Sequence, residues 1–142
     1  MKSLPMGPIL IIEDDEDDRF FIRNAIKQCG ITNDYRFFDN GKQALDYLII
    51  TSEQPFLILC DINMPVMNGI QLSRTINAND YLRKKSIPFI FLTTTDSPIQ
   101  VKEAYELTVQ GFFKKPPSIE ELTTIIKGIY IYWANCLHPN NV

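Results

Sequence analysis

Apolar residues along the chain gather in five short runs that each predict a β-strand. The runs are Ile9–Ile12, Tyr35–Phe38, Phe56–Cys60, Ile87–Leu92 and Gly111–Lys114. The first, third and fourth are nearly continuous and rich in β-branched or aromatic residues, which is typical of strands covered on both faces. Pro88 falls near the beginning of its run, where a strand tolerates proline.

Between the runs, apolar residues recur every three or four positions, which predicts amphipathic helices. The first helix has Asp15 as its N-cap and Gly30 as its C-terminal stop. Its predicted buried face is Ile22, Ala25, Ile26 and Cys29. Further helices are predicted after Gly41, from about Ile70 to Ala78, from Pro98 and from Ile119. The polar segment Asn79–Ser86 is predicted to be a link.

The resulting order is five strands alternating with five helices. Such an order predicts parallel strands joined by right-handed crossovers in a three-layer α/β domain. A length of 142 residues corresponds to one domain. We expect a single domain over residues 1–142, with its core at about 8–127 and an extended last helix and tail at 128–142.

The last predicted helix is more apolar than one buried face requires. Its core-facing stripe is Ile119, Leu122, Ile126, Ile129 and Trp133. Tyr130, Ile131 and Tyr132 add apolar surface on other sides. Two interpretations stay open: the excess contacts a partner, or it packs back on its own domain.

The overall composition narrows the classes of function. A net charge of −3, with no extended basic cluster, argues against direct binding of nucleic acid. No apolar run reaches the roughly 18 residues of a membrane span, and the N-terminus lacks a signal-peptide core, so we expect a cytoplasmic protein. The three cysteines lie far apart and fit reduced thiols.

Polar and charged side chains stand where four of the strands end. Glu13 and Asp14 follow the first strand, Asp61 the third, Thr93 the fourth and Lys115 the fifth. In a doubly wound sheet these carboxyl ends can meet at one edge, where ligands bind. Two carboxylates about 4 Å apart repel by roughly 4 kcal/mol at an effective dielectric constant near 20, so a divalent cation is expected among them. Mg²⁺ prefers such hard oxygen ligands.

This set of residues predicts phosphoryl chemistry. Asp61 can be both metal ligand and nucleophile, attacking a phosphoryl donor to form an acyl phosphate. Thr93 offers a hydroxyl, and Lys115 a positive charge, to the phosphoryl oxygens. The neighbouring acids Glu16, Asp17 and Asp18 have a simpler explanation, because acids in a first helical turn oppose the helix dipole.

With these motifs the chain resembles the receiver domains of two-component response regulators, from Ile9 to about Ile126. The resemblance makes Glu13 and Asp14 the acidic pair, Asp61 the phosphoacceptor, Asn63 a metal ligand through its backbone carbonyl, Thr93 the switch hydroxyl, Phe112 the switch aromatic and Lys115 the invariant lysine. Asn63 and Thr95 stand at positions that, by resemblance, tune hydrolysis of the acyl phosphate.

Four positions depart from the commonest family pattern. Glu13 replaces an aspartate of the acidic pair, and Phe112 lacks the hydroxyl of the more usual tyrosine. Asn68 stands where an aspartate often precedes the glycine, and Pro117 where an aromatic residue often follows Lys-Pro. We expect these departures to tune the switch rather than to disable it.

The resemblance implies a CheY-like, flavodoxin-like fold with strand order 2-1-3-4-5 and a phosphorelay function. It implies Mg²⁺ as cofactor, with Mn²⁺ as a substitute. The implied partners are a sensor histidine kinase or histidine phosphotransfer protein and a downstream protein target. The implied switched face, which would also serve a homodimer, is formed by the fourth predicted helix, fifth strand and fifth helix.

We expect a stand-alone receiver, because no output domain follows the last helix, and one that catalyses only its own phosphorylation and dephosphorylation. The Ile131–Trp133 and Leu137–Pro139 segments resemble the endings of single-domain regulators associated with bacterial phytochromes. His138 is accordingly expected to be a tail residue and not a phosphorelay histidine.

Three other functions fit the sequence less well. A phosphohydrolase with an aspartyl-phosphate intermediate would need an acid two residues after the nucleophile, where this chain has Asn63. A flavin-binding protein would need a Ser/Thr/Gly-rich loop after the first strand, where six acids stand. A degenerate receiver that only dimerises or binds a partner would not need the retained acids, Thr93 and Lys115.

Overall fold

The structure is a computed structural model that describes residues 7–141. Its strands are β1 (Ile9–Ile12), β2 (Tyr35–Phe38), β3 (Leu57–Cys60), β4 (Phe89–Thr93) and β5 (Gly111–Lys114). Its α-helices are α1 (Glu16–Gln28), α2 (Gly41–Ile50), α3 (Gly69–Ala78), α4 (Asp80–Lys84), α5 (Pro98–Glu106) and α6 (Ile119–Asn135). A short 3₁₀ turn follows at Pro139–Asn141.

The five strands form one parallel sheet in the order β2-β1-β3-β4-β5. The order confirms the predicted doubly wound topology. It reverses direction at β1, so the loops after β1 and β3 leave toward opposite faces and open a crevice between the strand ends. That crevice is where the sequence places its acids.

Each face of the sheet carries its own hydrophobic core, because successive strand residues point to opposite sides. On one face, Ile9 and Ile11 pack with α1 and α6. On the other face, Leu10 and Ile12 pack with helices α2 to α5. The two cores confirm the three-layer architecture and leave only the strand ends available for polar chemistry.

Helix caps fall largely where the sequence indicates. Asp15 accepts a hydrogen bond from the Asp17 amide at the start of α1, and Gly30 follows that helix with a φ of 69°. Ser118 caps α6 through the Glu121 amide. Ser97 is the N-cap residue of α5 but makes no capping hydrogen bond through its side chain.

The predicted polar link at Asn79–Ser86 was wrong in part, since it contains the five-residue helix α4. Asn79 ends α3 and caps α4 by accepting from the Leu82 amide at 3.0 Å. Leu82 is the only buried residue of α4, with 3% of its surface exposed. A single apolar anchor shows no periodicity, which explains why the pattern did not reveal the helix.

The apolar end of α6 packs back on its own domain in part, and contact of the remaining apolar surface with a partner stays a prediction. Tyr130 and Trp133 pack against the core beside α1, whereas Ile131 and Tyr132 are largely exposed. The domain therefore covers one side of this helix end and leaves the other open to solvent.

His138 lies in the C-terminal tail, as predicted, but its side chain has a packing role that the sequence did not indicate. Its side chain is fully buried, its ring stacks on Phe56 at 4.7 Å, and its Nε2 lies 2.8 Å from the Phe56 carbonyl oxygen. The Asn140 amide donates to Nδ1, so Nε2 carries the proton and donates to Phe56. His138 thus pins the C-terminal segment beside the beginning of β3, far from the acids.

No helix within residues 7–141 has both the length and the apolar character that crossing a membrane requires.

Gly69 and Gly128 give a matched test of packing. A Cβ on Gly69 would lie 2.2 Å from the Asp61 carbonyl oxygen, whereas a Cβ on Gly128 would meet nothing within 4 Å. We expect Gly69→Ala to lower the free energy of unfolding by about 1–3 kcal/mol. Gly128→Ala should raise it by about 0.5–1 kcal/mol, because alanine favours a helix interior. Urea unfolding measures both, and equal effects would contradict the close approach at Gly69.

Candidate functional site

Four neighbouring strands, β1, β3, β4 and β5, bring the predicted residues to one edge of the sheet. The Asp61 amide donates to the Ile12 carbonyl at 3.0 Å, and the Lys115 amide donates to the Thr93 carbonyl at 2.7 Å. These bonds continue the strand ladders by one residue. Because the ladder fixes each backbone, the side chains just beyond the strands have little freedom in where they emerge.

Glu13, Asp14 and Asp61 form an acidic cluster. A carboxylate oxygen from each lies within 4.8 Å of the others. Glu13 and Asp61 are only 2% and 8% exposed, whereas Asp14 is exposed. Two acids of the cluster are therefore buried, and the third, Asp14, is accessible to solvent.

The Lys115 ammonium neutralises part of this charge. Its Nζ lies 2.5 Å from Glu13 Oε1, 2.7 Å from Asp18 Oδ2 and 3.4 Å from Asp61 Oδ2. Asp18 was not among the predicted site residues, since its place in the first turn of α1 suggested only a dipole effect. No signal in the sequence separates Asp18 from Asp17, which shares the same helical turn, because the partner of Asp18 is 97 positions away in the chain.

Burial and charge shift the ionisation of this cluster. Burial raises the pKa of Glu13 to about 7, against the opposing effect of the hydrogen bond and charge from Lys115. For Lys115, burial alone would lower the pKa, but hydrogen bonds to Asp18 and Glu13 and the charges of Glu13 and Asp61 hold it above its ordinary value. Lys115 thus stays an ammonium near neutral pH, while Glu13 titrates there.

Cys60 adds no reactive group to the cluster. Burial and the charges of Asp61 and Glu13 raise the pKa of its thiol well above the ordinary value. The thiol therefore stays protonated next to Asp61, and its Sγ lies 3.0 Å from the Asp61 carbonyl oxygen, to which it donates.

Arg19 is a second residue that sequence reasoning missed. Its Nε donates to the Glu13 carbonyl at 2.6 Å, and its guanidinium pairs with Asp39 after β2. The contact ties α1 to the ends of β1 and β2, which fixes the backbone that carries the acidic pair.

The remaining predicted residues lie on β4 and β5 or in the loops that follow β3 and β4. Thr93 is fully buried at the end of β4, and its hydroxyl oxygen lies 3.5 Å from the Thr95 amide. Thr95 donates its hydroxyl to the Gln100 side chain at 2.7 Å. Phe112 is half-buried in β5, with its ring 5.8 Å from that of Phe91, and Asn63 is exposed in the loop after β3.

The donor set fits a hard divalent cation. Three carboxylates from two strand ends converge within one coordination sphere, and two of them are buried beside a single ammonium. Carboxylate oxygens in small number suit Mg²⁺ or Mn²⁺, which complete their coordination with water and phosphoryl oxygens. The cluster lacks the nitrogen and sulfur ligands that favour zinc.

Comparison with known proteins agrees with this geometry. Residues 9–127 match the model of the family described as response regulator receiver domain. The chain belongs to this family. Receiver domains are the phosphoacceptors of two-component signalling, bind a divalent metal ion in their acidic pocket, and interact with histidine kinases or phosphotransfer proteins.

Two relatives have about the same length as this receiver. The probable methanogenesis regulatory protein FilR2 of Methanothrix harundinacea is 31% identical over 129 residues, covering 88% of this chain and 82% of FilR2. Response regulator Rcp1 of Synechocystis is 28% identical over 137 residues, covering 93% of this chain and 92% of Rcp1.

Solved structures of receivers share the whole fold. The phosphorylated cyanobacterial phytochrome response regulator RcpA superimposes with a TM-score of 0.83 and 25% identity, covering 92% of this chain and 96% of RcpA. The Mn²⁺-bound form of Rcp1 gives a TM-score of 0.80 and 28% identity, covering 91% and 95% of the two chains. These matches confirm the CheY-like fold.

The raised pKa of Glu13 predicts that metal binding is coupled to proton release. Because a cation needs the ionised carboxylate, binding must displace the Glu13 proton at any pH at which Glu13 is protonated. With a pKa of about 7, Mn²⁺ or Mg²⁺ should release about one proton per ion at pH 6 and almost none at pH 8. The apparent affinity should rise with pH and level off above about pH 7.

Isothermal titration calorimetry in buffers of different ionisation enthalpy measures this proton release. Glu13→Gln is the control, since it should bind the ion more weakly and release no such proton. Equal proton release at pH 6 and pH 8 in the native protein would contradict the assignment of Glu13.

Proposed function

We propose that this chain is a single-domain response regulator that accepts a phosphoryl group on Asp61 from a phosphohistidine. The observation that carries the proposal is the placement of the Asp61 carboxylate. Its Oδ1 accepts from the Ile62 amide at 2.7 Å, while its Oδ2 lies 3.4 Å from the Lys115 ammonium. The nucleophile is thus held in one orientation on the floor of the acidic crevice.

In the proposed reaction a carboxylate oxygen of Asp61 attacks the phosphorus atom, and the phosphorus–nitrogen bond to the donor imidazole breaks. The imidazole leaves with the electron pair of that bond and takes up a proton. Lys115 lies close enough to donate to the phosphoryl oxygens. Thr93, at the end of the neighbouring strand, would offer its hydroxyl to the same oxygens once it turns toward Asp61.

Glu13, Asp14, Asp61 and the backbone carbonyl of Asn63 would hold Mg²⁺, with Mn²⁺ as a substitute. When bound, the ion supplies positive charge to the acids and to the incoming phosphoryl oxygens. The convergence of the three carboxylates supports this ligand set, as does the Mn²⁺-bound form of the relative Rcp1. Asn63 also lacks the acidic proton that a hydrolytic role would require of it.

Phosphorylation would then shift an equilibrium between two packings of Thr93 and Phe112. The affected surface would be α5, β5 and α6, which correspond to the fourth helix, fifth strand and fifth helix of the predicted pattern. Ile99, Tyr105 and Tyr132 on these helices are more than half exposed. This surface would bind the downstream protein, and it is also the proposed contact of a homodimer. Asn63 and Thr95 would set how fast the acyl phosphate hydrolyses.

We further propose that residues 1–142 act as one cytoplasmic receiver unit, with a histidine kinase or histidine phosphotransfer protein as donor. Its catalysis would be limited to its own phosphorylation and dephosphorylation. The two relatives of similar length, FilR2 and Rcp1, support this organisation.

Phosphorylation by a small donor tests the assignment. In the presence of Mg²⁺ and acetyl phosphate, intact-mass spectrometry should show one added phosphoryl group. Asp61→Asn should abolish it completely, and so should removal of Mg²⁺ with EDTA. Asp46→Asn is the matched control, because Asp46 is an exposed acid of α2 that forms an ion pair with Lys42 on the same helix. Labelling that survives Asp61→Asn would refute the proposal.

A further inference from the structure

Asp18 holds the Lys115 ammonium from the side of α1. The Asp18 carboxylate lies 2.7 Å from Nζ, its side chain is 29% exposed, and that of Lys115 is 11% exposed. An ammonium has three N–H donors. Two of them serve the short contacts to Glu13 and Asp18, and the third reaches Asp61 only at 3.4 Å. Lys115 therefore lies closer to Asp18 than to the proposed phosphoacceptor.

The helix dipole does not account for this contact. Glu16 and Asp17 share the first turn of α1 with Asp18 and are exposed. Within residues 7–141, neither of them forms an ion pair. An acid that interacts only with the helix dipole is therefore exposed and unpaired in this turn. Asp18 instead reaches across to a residue 97 positions away in the chain.

Lys115 can change partner without moving its backbone. Its amide is held by the Thr93 carbonyl at 2.7 Å, while its long side chain is flexible. A phosphoryl group on Asp61 would bring a doubly charged set of oxygens into the space beside Nζ. The ammonium would then have a stronger anion within reach than the partly exposed Asp18 carboxylate.

We propose that Asp18 is a positioning residue that retains Lys115 in a resting arrangement and competes with the phosphoryl group for its ammonium. This inference rests on the proposed function of Asp61. Asp18 thereby lowers the stability of the phosphorylated state and regulates how strongly the site holds a phosphoryl group.

Beryllofluoride, which mimics a phosphoryl group on an aspartate, is the probe. Its affinity is measured at saturating Mg²⁺ for the native chain, Asp18→Asn, Asp18→Glu and Asp17→Asn. Asp17→Asn is the matched control, because it removes one negative charge from the same helical turn without touching Lys115. We expect Asp18→Asn to bind beryllofluoride about two- to fivefold more tightly than Asp17→Asn, the effect of one partly exposed ion pair.

Asp18→Glu should restore an affinity close to the native one, because it restores an anion within reach of Lys115. Urea unfolding followed through the fluorescence of Trp133 verifies that every variant is folded under the binding conditions. A merely structural role of Asp18 would change the unfolding midpoint and leave the ratio of beryllofluoride affinities at one.

The outcomes separate this inference from the function on which it rests. If the native chain fails to bind beryllofluoride and to accept a phosphoryl group, the proposed function is wrong. If the native chain does both, but Asp18→Asn binds beryllofluoride like Asp17→Asn or more weakly, only the role of Asp18 is overturned.

Discussion

Burial of negative charge at the carboxyl edge of the sheet is the constraint on which this structure depends. Glu13 and Asp61 have almost no contact with solvent, and neighbouring carboxylates at about 4 Å repel by roughly 4 kcal/mol at an effective dielectric constant near 20. One ammonium, that of Lys115, is the counter-charge shared by both. Such a site is stable only if the strands carrying the acids and the lysine hold their ends in register, which the parallel ladders do.

The loop after β3 is fitted to the same edge. Gly69 begins α3 against the Asp61 carbonyl, where a Cβ would lie 2.2 Å from the oxygen. The Gly69 amide donates to the Ile62 carbonyl, and the Met67 carbonyl accepts from the Gly41 amide of α2, each at 2.9 Å. Position 69 therefore requires glycine because the backbone passes close to the Asp61 carbonyl, and not because its φ is positive. The loop that walls the proposed phosphorylation site is thus held by two different helices.

Much of this arrangement could be predicted because it follows from local pattern. Buried strands are continuous apolar runs, and parallel topology places whatever follows them at a common edge, so Glu13, Asp61 and Lys115 could be grouped before their distances were known. What could not be predicted depends on distant contacts. Asp18 has the same local setting as Asp17, and only the fold shows that one of them meets Lys115.

The burial of His138 could not be predicted for the same reason, since its partner Phe56 lies 82 positions away and neither sequence neighbourhood signals the pair. The helix α4 was not predicted because a single buried leucine, Leu82, does not establish the periodicity of apolar residues that indicates a helix.

The proposed switch residues Thr93 and Phe112 lie on neighbouring strands. Thr93 pairs with Lys114 and Phe91 with Phe112 in the ladder between β4 and β5, so the proposed switch hydroxyl and switch aromatic belong to one two-stranded unit. Phe112 is half-buried against Phe91 and its neighbour Phe113 packs on the opposite core. A side chain at the rim of a core can adopt a second packing at less cost than one enclosed by it. The chain therefore places its proposed movable aromatic on the strand that ends beside Lys115, and a change in the partner of that lysine would act on the strand that belongs to the proposed output surface.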